Sequence, residues 1–158
     1  MLECPLSDET ADRVFDVYLT SYEAGWSLFP DVEPCLGQLS RHRLGVVSNG
    51  QSRQQRSKLE RMGISERFDH VVISEDCGFA KPSPEIFLRA CALFDEQPQR
   101  VLYVGDMYDL DAAAARQAGL AGVWLDRCCS ATAAHVPPFV QSLDGLARLV
   151  AASEHEAG

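Results

Sequence analysis

The chain has 158 residues, 46% of them hydrophobic, which is enough for one core and points to one domain. A formal charge of −9 and a pI near 4.8 argue against nucleic acid or an anionic membrane as partner, since both are bound through basic patches. There is no apolar run of about 18 residues and no charged-then-apolar leader at Met1, so a cytoplasmic protein is expected.

In chain order, the first periodic segment is a helix over about 8–24, with Val14, Tyr18 and Tyr22 spaced four apart, and a second helix follows over about 32–41. Leu44-Gly-Val-Val-Ser48 is an apolar run, a strand over about 43–48 that ends in a hydroxyl, an amide and a glycine at Ser48, Asn49 and Gly50. A helix over about 51–62 comes next, closed by Gly63, and its Arg53, Arg56, Lys58 and Arg61 read as a solvated face. Phe68-Asp69-His70-Val71-Val72-Ile73-Ser74-Glu75 contains a further strand, over about 69–74. Lys81 then stands just before a helix over about 84–94, with Ser83 at the N-cap and Pro84 at the first helical position. Within it Phe87, Ala90, Cys91 and Phe94 recur at three- and four-residue spacing, as core residues do.

Val101-Leu-Tyr-Val-Gly-Asp106-Met-Tyr-Asp109-Leu-Asp111 is the densest signal. A strand over about 100–104 ends in Gly105-Asp106, and two more carboxylates precede an alanine-rich helix over about 109–118. Acids at the carboxyl end of a strand lie where open α/β sheets place their ligands, and clustered hard oxygens suit magnesium. The competing reading is an Asp-rich helix cap. Strands over about 121–125 and 138–141, a helix over about 142–152 and a frayed tail at 153–158 complete the chain. Alternating strands and helices define an α/β protein, a three-layer Rossmann-like parallel sheet with helices on both faces. The six cysteines, Cys4, Cys35, Cys77, Cys91, Cys128 and Cys129, have no Cys-x-x-Cys or zinc spacing and read as idle thiols; a soft-metal site at Cys128, Cys129 and His135 lacks partners.

Taken in order, Val-Val-Ser-Asn-Gly (46–50), Ala-Lys-Pro-Ser-Pro-Glu-Ile-Phe (80–87) and Val-Gly-Asp-Met-Tyr-Asp-Leu-Asp (104–111) resemble motifs two, three and four of the haloacid dehalogenase-like hydrolases. The resemblance runs from about 29 to 149. It implies a magnesium-dependent phosphatase of small phosphorylated metabolites. Ser48 and the Asn49 backbone would hold phosphoryl oxygens, and Lys81 would neutralise charge on nucleophile and phosphate. Asp106 would ligate Mg2+, and Asp111, or less readily Asp109, would support the metal or orient Lys81. Residues 1–28 resemble a helical cap remnant, 29–152 the α/β core, and 153–158 a flexible tail.

The family's first motif, an apolar strand ending in Asp-x-Asp whose first aspartate is the nucleophile, has no counterpart before Ser48. Asp109-Leu-Asp111 imitates its spacing but belongs to the fourth motif. The resemblance therefore implies a shortened, inactive form of a phosphatase; the alternatives are a catalytically dead binding or interaction domain and, ranked below both, a haloacid dehalogenase. In the resembled fold the first strand is central, so its two neighbours are expected either to close directly on each other or to receive a strand from a homodimer or a partner chain, unpaired edges being sites of association.

Overall fold

The structure, a computed structural model, describes residues 8–130 and 138–156. Cys4, His135 and the last two residues of the expected tail lie outside the described residues. The chain runs α1 (Asp8–Ala24), α2 (Val32–Gln38), β1 (Gly45–Ser48), α3 (Ser52–Arg61), β2 (His70–Ile73), α4 (Ser74–Cys77), α5 (Pro84–Leu93), β3 (Leu102–Gly105), a π-helical turn (Asp109–Ala113) continuing into α6 (Ala114–Gln117), β4 (Ala121–Leu125), β5 (Phe139–Val140) and α7 (Leu143–Glu156). Gly63 ends α3 with φ +71°, a conformation glycine adopts without the Cβ clash other residues meet. Pro84 opens α5 behind Ser83 as expected, but the Ser83 hydroxyl bonds the Glu85 carboxylate rather than a backbone N–H. At the carboxyl end the helix does not stop near 152. It continues to Glu156, with Ser153 Oγ donating to Leu149 O (2.9 Å) and the His155 ring 2.8 Å from Ala151 O.

All the strand pairs are parallel, in two groups: β1 with β2, and β3 with β4 and β5. Helices cover both faces. On one side Ile86, Phe87, Ala90 and Cys91 of α5 join Val72, Ala114, Ala115 and Leu120 in the larger core cluster; on the other, Cys35 of α2 and Leu146 and Ala147 of α7 pack on Val123. Phe94 is less enclosed than the spacing suggests and sets its ring edge-on to His70, 4.8 Å between centroids.

The expectation that β1 and β3 close directly on each other does not hold. β1 and β3 do not pair; between them lies a cleft of about 1180 Å3 lined by Val46 and Val47, Leu102 and Val104, and by Phe87 and Leu146 from the two helical layers.

Two long-range ties set the outer frame. Arg127, just past β4, grips Asp31 ahead of α2 with both guanidinium nitrogens (2.8 and 3.0 Å), while the Leu143 N–H at the start of α7 donates to the same carboxylate at 2.9 Å. The Arg127 hydrogen bonds, foremost, hold Asp31 below its usual pKa. The second tie lies on α3, whose Arg53, Arg56 and Arg61 are exposed as the solvated-face reading expects but are not all idle: Arg61 pairs with Glu23, Arg61 and Lys58 lie over the Trp26 ring (5.6 and 5.9 Å), and Arg56 pairs with Asp76 at 3.0 Å. These basic groups fasten α1 and α4 to α3.

Candidate active site

β1 delivers Ser48 and Asn49 to its carboxyl end. Ser48 Oγ donates to Gln55 Oε1 on the first turns of α3 at 3.0 Å, which leaves the hydroxyl's lone pairs open to a donor. Asn49 is clipped to Lys81 in both directions: its Nδ2 donates to Lys81 O (3.0 Å) and the Lys81 N–H donates to its Oδ1 (2.8 Å). The Gly50 N–H donates to Ser74 Oγ (2.9 Å), joining the mouth of β1 to the end of β2.

The clip aims the Lys81 side chain toward the other half of the sheet. Nζ donates to Asp111 Oδ1 at 2.6 Å and to Tyr103 Oη at 3.2 Å, and the Tyr103 hydroxyl donates to the same Oδ1 at 3.0 Å. Asp111 Oδ2 accepts the Met107 N–H at 3.0 Å. The Asp111 side chain is 3% exposed and that of Lys81 15%, so the ion pair is screened from water and its three-way bonding is what makes burying it tolerable. Burial, reinforced by the neighbouring charge of Asp111, drives the Tyr103 phenol far above its ordinary pKa, so it stays a donor. The π-helical turn places Asp111 here: the Asp111 N–H bonds Met107 O (2.8 Å) and the Ala113 N–H bonds Tyr108 O five residues back (2.9 Å), a widened turn that brings the carboxylate under Gly105.

Asp106 follows β3 directly. Its carbonyl accepts the buried Trp124 indole N–H at 3.0 Å, while its exposed carboxylate has no hydrogen bond or ion pair among the described residues. Asp109 is also exposed. Among the described residues no three His, Cys, Asp or Glu side chains cluster as a closed metal cage. The Asp106 carboxylate, exposed and unpaired among the described residues, is a hard-oxygen donor of the kind magnesium takes singly or in pairs, with water or phosphate completing the shell. With both oxygens already engaged, Asp111 serves Lys81 here.

Of the residues named from the sequence, Asn49, Lys81 and Asp111 are joined by hydrogen bonds, while Ser48 adjoins Asn49 at the end of β1 and bonds Gln55, and Asp106 follows Gly105 at the end of β3. Tyr103 and Gln55 were not anticipated: one sat inside an apolar run, the other inside a polar helix. None of the five described cysteines takes part in a disulfide, and burial raises the thiol pKa of Cys35 and Cys91, as befits inert core thiols.

A parallel α/β sheet that gathers a serine, a lysine locked to an aspartate and an unpaired aspartate near the carboxyl ends of its strands sets these groups where open α/β sheets bind ligands. A profile of the haloacid dehalogenase-like hydrolases matches residues 2–119, and the chain belongs to that family. It is 42% identical over 101 residues to the glyceraldehyde 3-phosphate phosphatase of Methanopyrus kandleri, a match covering 63% of this chain and 43% of that protein. It is 36% identical over 104 residues to the phosphoserine phosphatase of Thermus thermophilus, covering 65% and 42%. The crystal structure of a 2-haloacid dehalogenase from Pseudomonas syringae superposes with a TM-score of 0.78 at 30% identity, covering 92% of this chain and 62% of that one. The chain thus spans less than half the length of these curated relatives.

Proposed function

We propose that this chain carries the phosphate- and magnesium-binding part of a phosphatase acting on small phosphorylated metabolites, and that these residues alone bind phosphate without turning it over. The observation that carries the reading is Lys81, held at its backbone by Asn49 and at its ammonium by Asp111, so that one cation is presented rigidly between the ends of β1 and β3. The printed activities of the two curated relatives, on glyceraldehyde 3-phosphate and on phosphoserine, support the substrate class.

In this reading Ser48 Oγ and the Asn49 backbone receive the phosphoryl oxygens and Lys81 offsets their charge. Asp106 holds Mg2+, which when bound supplies further charge neutralisation at those oxygens. Phosphoryl transfer is catalysed chiefly by such positioned charge, but it still needs a nucleophile, and among the described residues the buried carboxylate of the site, Asp111, is already engaged by Lys81 and the Met107 N–H. The cleft between β1 and β3 extends the reading to a partner. Its two free parallel edges and apolar walls suit an extended apolar strand from a homodimer mate or another polypeptide, and light scattering across a concentration series tests for the mate.

The deciding assay measures magnesium-dependent p-nitrophenol release from p-nitrophenyl phosphate by this chain and by Asp106→Asn, with phosphate binding followed by calorimetry. The reading expects release no greater than in the mutant, together with phosphate binding that weakens in Asp106→Asn and in Lys81→Gln. Release that disappears in Asp106→Asn would overturn the inactivity; absence of phosphate binding would overturn the site.

A further inference from the structure

Tyr103 has no role in the site as read so far, yet its hydroxyl touches both members of the Lys81–Asp111 pair. Its ring is fixed from two sides. The backbone sits within β3, in register with Gly122 of β4, and the ring meets Phe87 edge-on at 4.9 Å between centroids, with planes 87° apart. The phenol's position is therefore set by the core and does not depend on Lys81.

Hydrogen-bond arithmetic gives this contact a consequence. The Tyr103 O–H has one hydrogen, which goes to Asp111 Oδ1, so towards Lys81 it acts as acceptor. An ammonium has three hydrogens. Asp111 takes one and Tyr103 a second, and no third acceptor for Nζ exists among the described residues. With Asp111 alone, the flexible Lys81 chain could swing about the Nζ–Oδ1 line, carrying Cε with it and re-aiming the other hydrogens; a second anchor at Tyr103 Oη stops that swing and gives the third hydrogen a single direction. We propose that Tyr103 is a positioning residue of the phosphate site, its hydroxyl fixing the Lys81 ammonium so that the remaining N–H faces the bound phosphoryl group. This rests on the phosphate reading above.

Tyr103→Phe removes the hydroxyl and keeps the ring on Phe87, so it separates positioning from packing. The full chain, Tyr103→Phe and Lys81→Gln are titrated with inorganic phosphate, and the Lys81 side-chain 15N–1H signal is recorded with thermal unfolding alongside. The expected result is a fivefold to twentyfold weaker phosphate affinity in Tyr103→Phe, with the Lys81 ammonium signal, sharp in the parent chain, shifted or lost, while Lys81→Gln binds more weakly still. A purely structural role would lower the melting temperature and leave the phosphate affinity within twofold. That outcome, with Lys81→Gln impaired, overturns the proposal and leaves the phosphate reading standing. Equal phosphate affinity in all three proteins, or none in the parent, overturns the phosphate reading and this proposal with it.

Discussion

Gly105 is the residue on which the geometry of the site turns, and Gly105→Ala tests it directly. A methyl built at this position lies 2.3 Å from Asp111 Cγ, 2.4 Å from its Cβ and 2.5 Å from Oδ2. Ordinary contact between such atoms is about 3.5–4.0 Å, so Asp111 must retreat by roughly 1 Å or more. A shift of that size stretches the bonds from Lys81 Nζ (2.6 Å), Tyr103 Oη (3.0 Å) and Met107 N (3.0 Å) towards or past hydrogen-bonding range. Each bond to a charged acceptor contributes about 1.5–3 kcal/mol, and breaking a buried ion pair costs about 3–5 kcal/mol. The two figures describe overlapping contacts and do not add, and because Asp111 shifts rather than loses its partners outright the expected loss is that of the ion pair, about 3–5 kcal/mol. In a chain of this size that corresponds to a fall of about 6–20 °C in melting temperature. The assay is thermal unfolding with phosphate titration, and the control is Gly37→Ala, where an added Cβ on α2 meets nothing within 4 Å and helix propensity favours alanine by about 0.5–1 kcal/mol. If Gly105→Ala melts within about 3 °C of the parent and binds phosphate equally well, the account of Asp111 as a wedge-fitted anchor for Lys81 is refuted.

Two other substitutions probe the frame. Because Asp31 titrates below its usual range in the folded chain, its contribution is complete above the unfolded value of about 3.9 and disappears as pH falls through the lower folded value. Asp31→Asn should therefore cost about 2 kcal/mol at pH 7 and progressively less below pH ~3.5; urea midpoints at the two pH values measure it, and a pH-independent difference would contradict the Arg127 clamp. Gly122→Ala would bring its Cβ to 2.2 Å from the Ala112 carbonyl oxygen, a backbone atom that cannot swing aside. It should destabilise at least as much as Gly105→Ala, read as melting temperature and soluble yield.

The fold was readable in the sequence where the signal is local. The apolar runs ending at Ser48 and Gly105, Pro84 at a helix start and Gly63 at a helix end each encode one junction in a few residues, and the structure has every one of them. Lys81 and Asp111 were legible as types, thirty residues apart, through the motifs that carry them. Whatever depends on distance in the chain was not. Arg127 and Asp31 are 96 residues apart, and no periodicity links them. The basic residues of α3 are solvated as read, but their partners Glu23, Trp26 and Asp76 lie elsewhere in the chain and no local pattern announces them. Tyr103 was hidden for the opposite reason: in an apolar strand an aromatic residue reads as core, and its ring is core. Only the hydroxyl, which the ring's packing on Phe87 does not require, points to a second task. The widened turn at Asp109–Ala113 has no sequence mark, since alanine-rich sequence suits an ordinary helical turn equally.

The gap between β1 and β3 also determines how the molecule behaves as a mechanical object. With no ladder of hydrogen bonds crossing the sheet, the two strand groups transmit force to each other largely through side chains. α5 is where they meet, its Ile86, Phe87, Ala90 and Cys91 sharing one core cluster with Val47 and Val72 from one side and Val101 and Tyr103 from the other. The cooperativity of the chain is thereby concentrated in one helix. A lesion in α5 uncouples two bodies, whereas the same lesion in α7 loosens one, and the Lys81 bridge that spans those bodies would be the first long-range contact to register the difference.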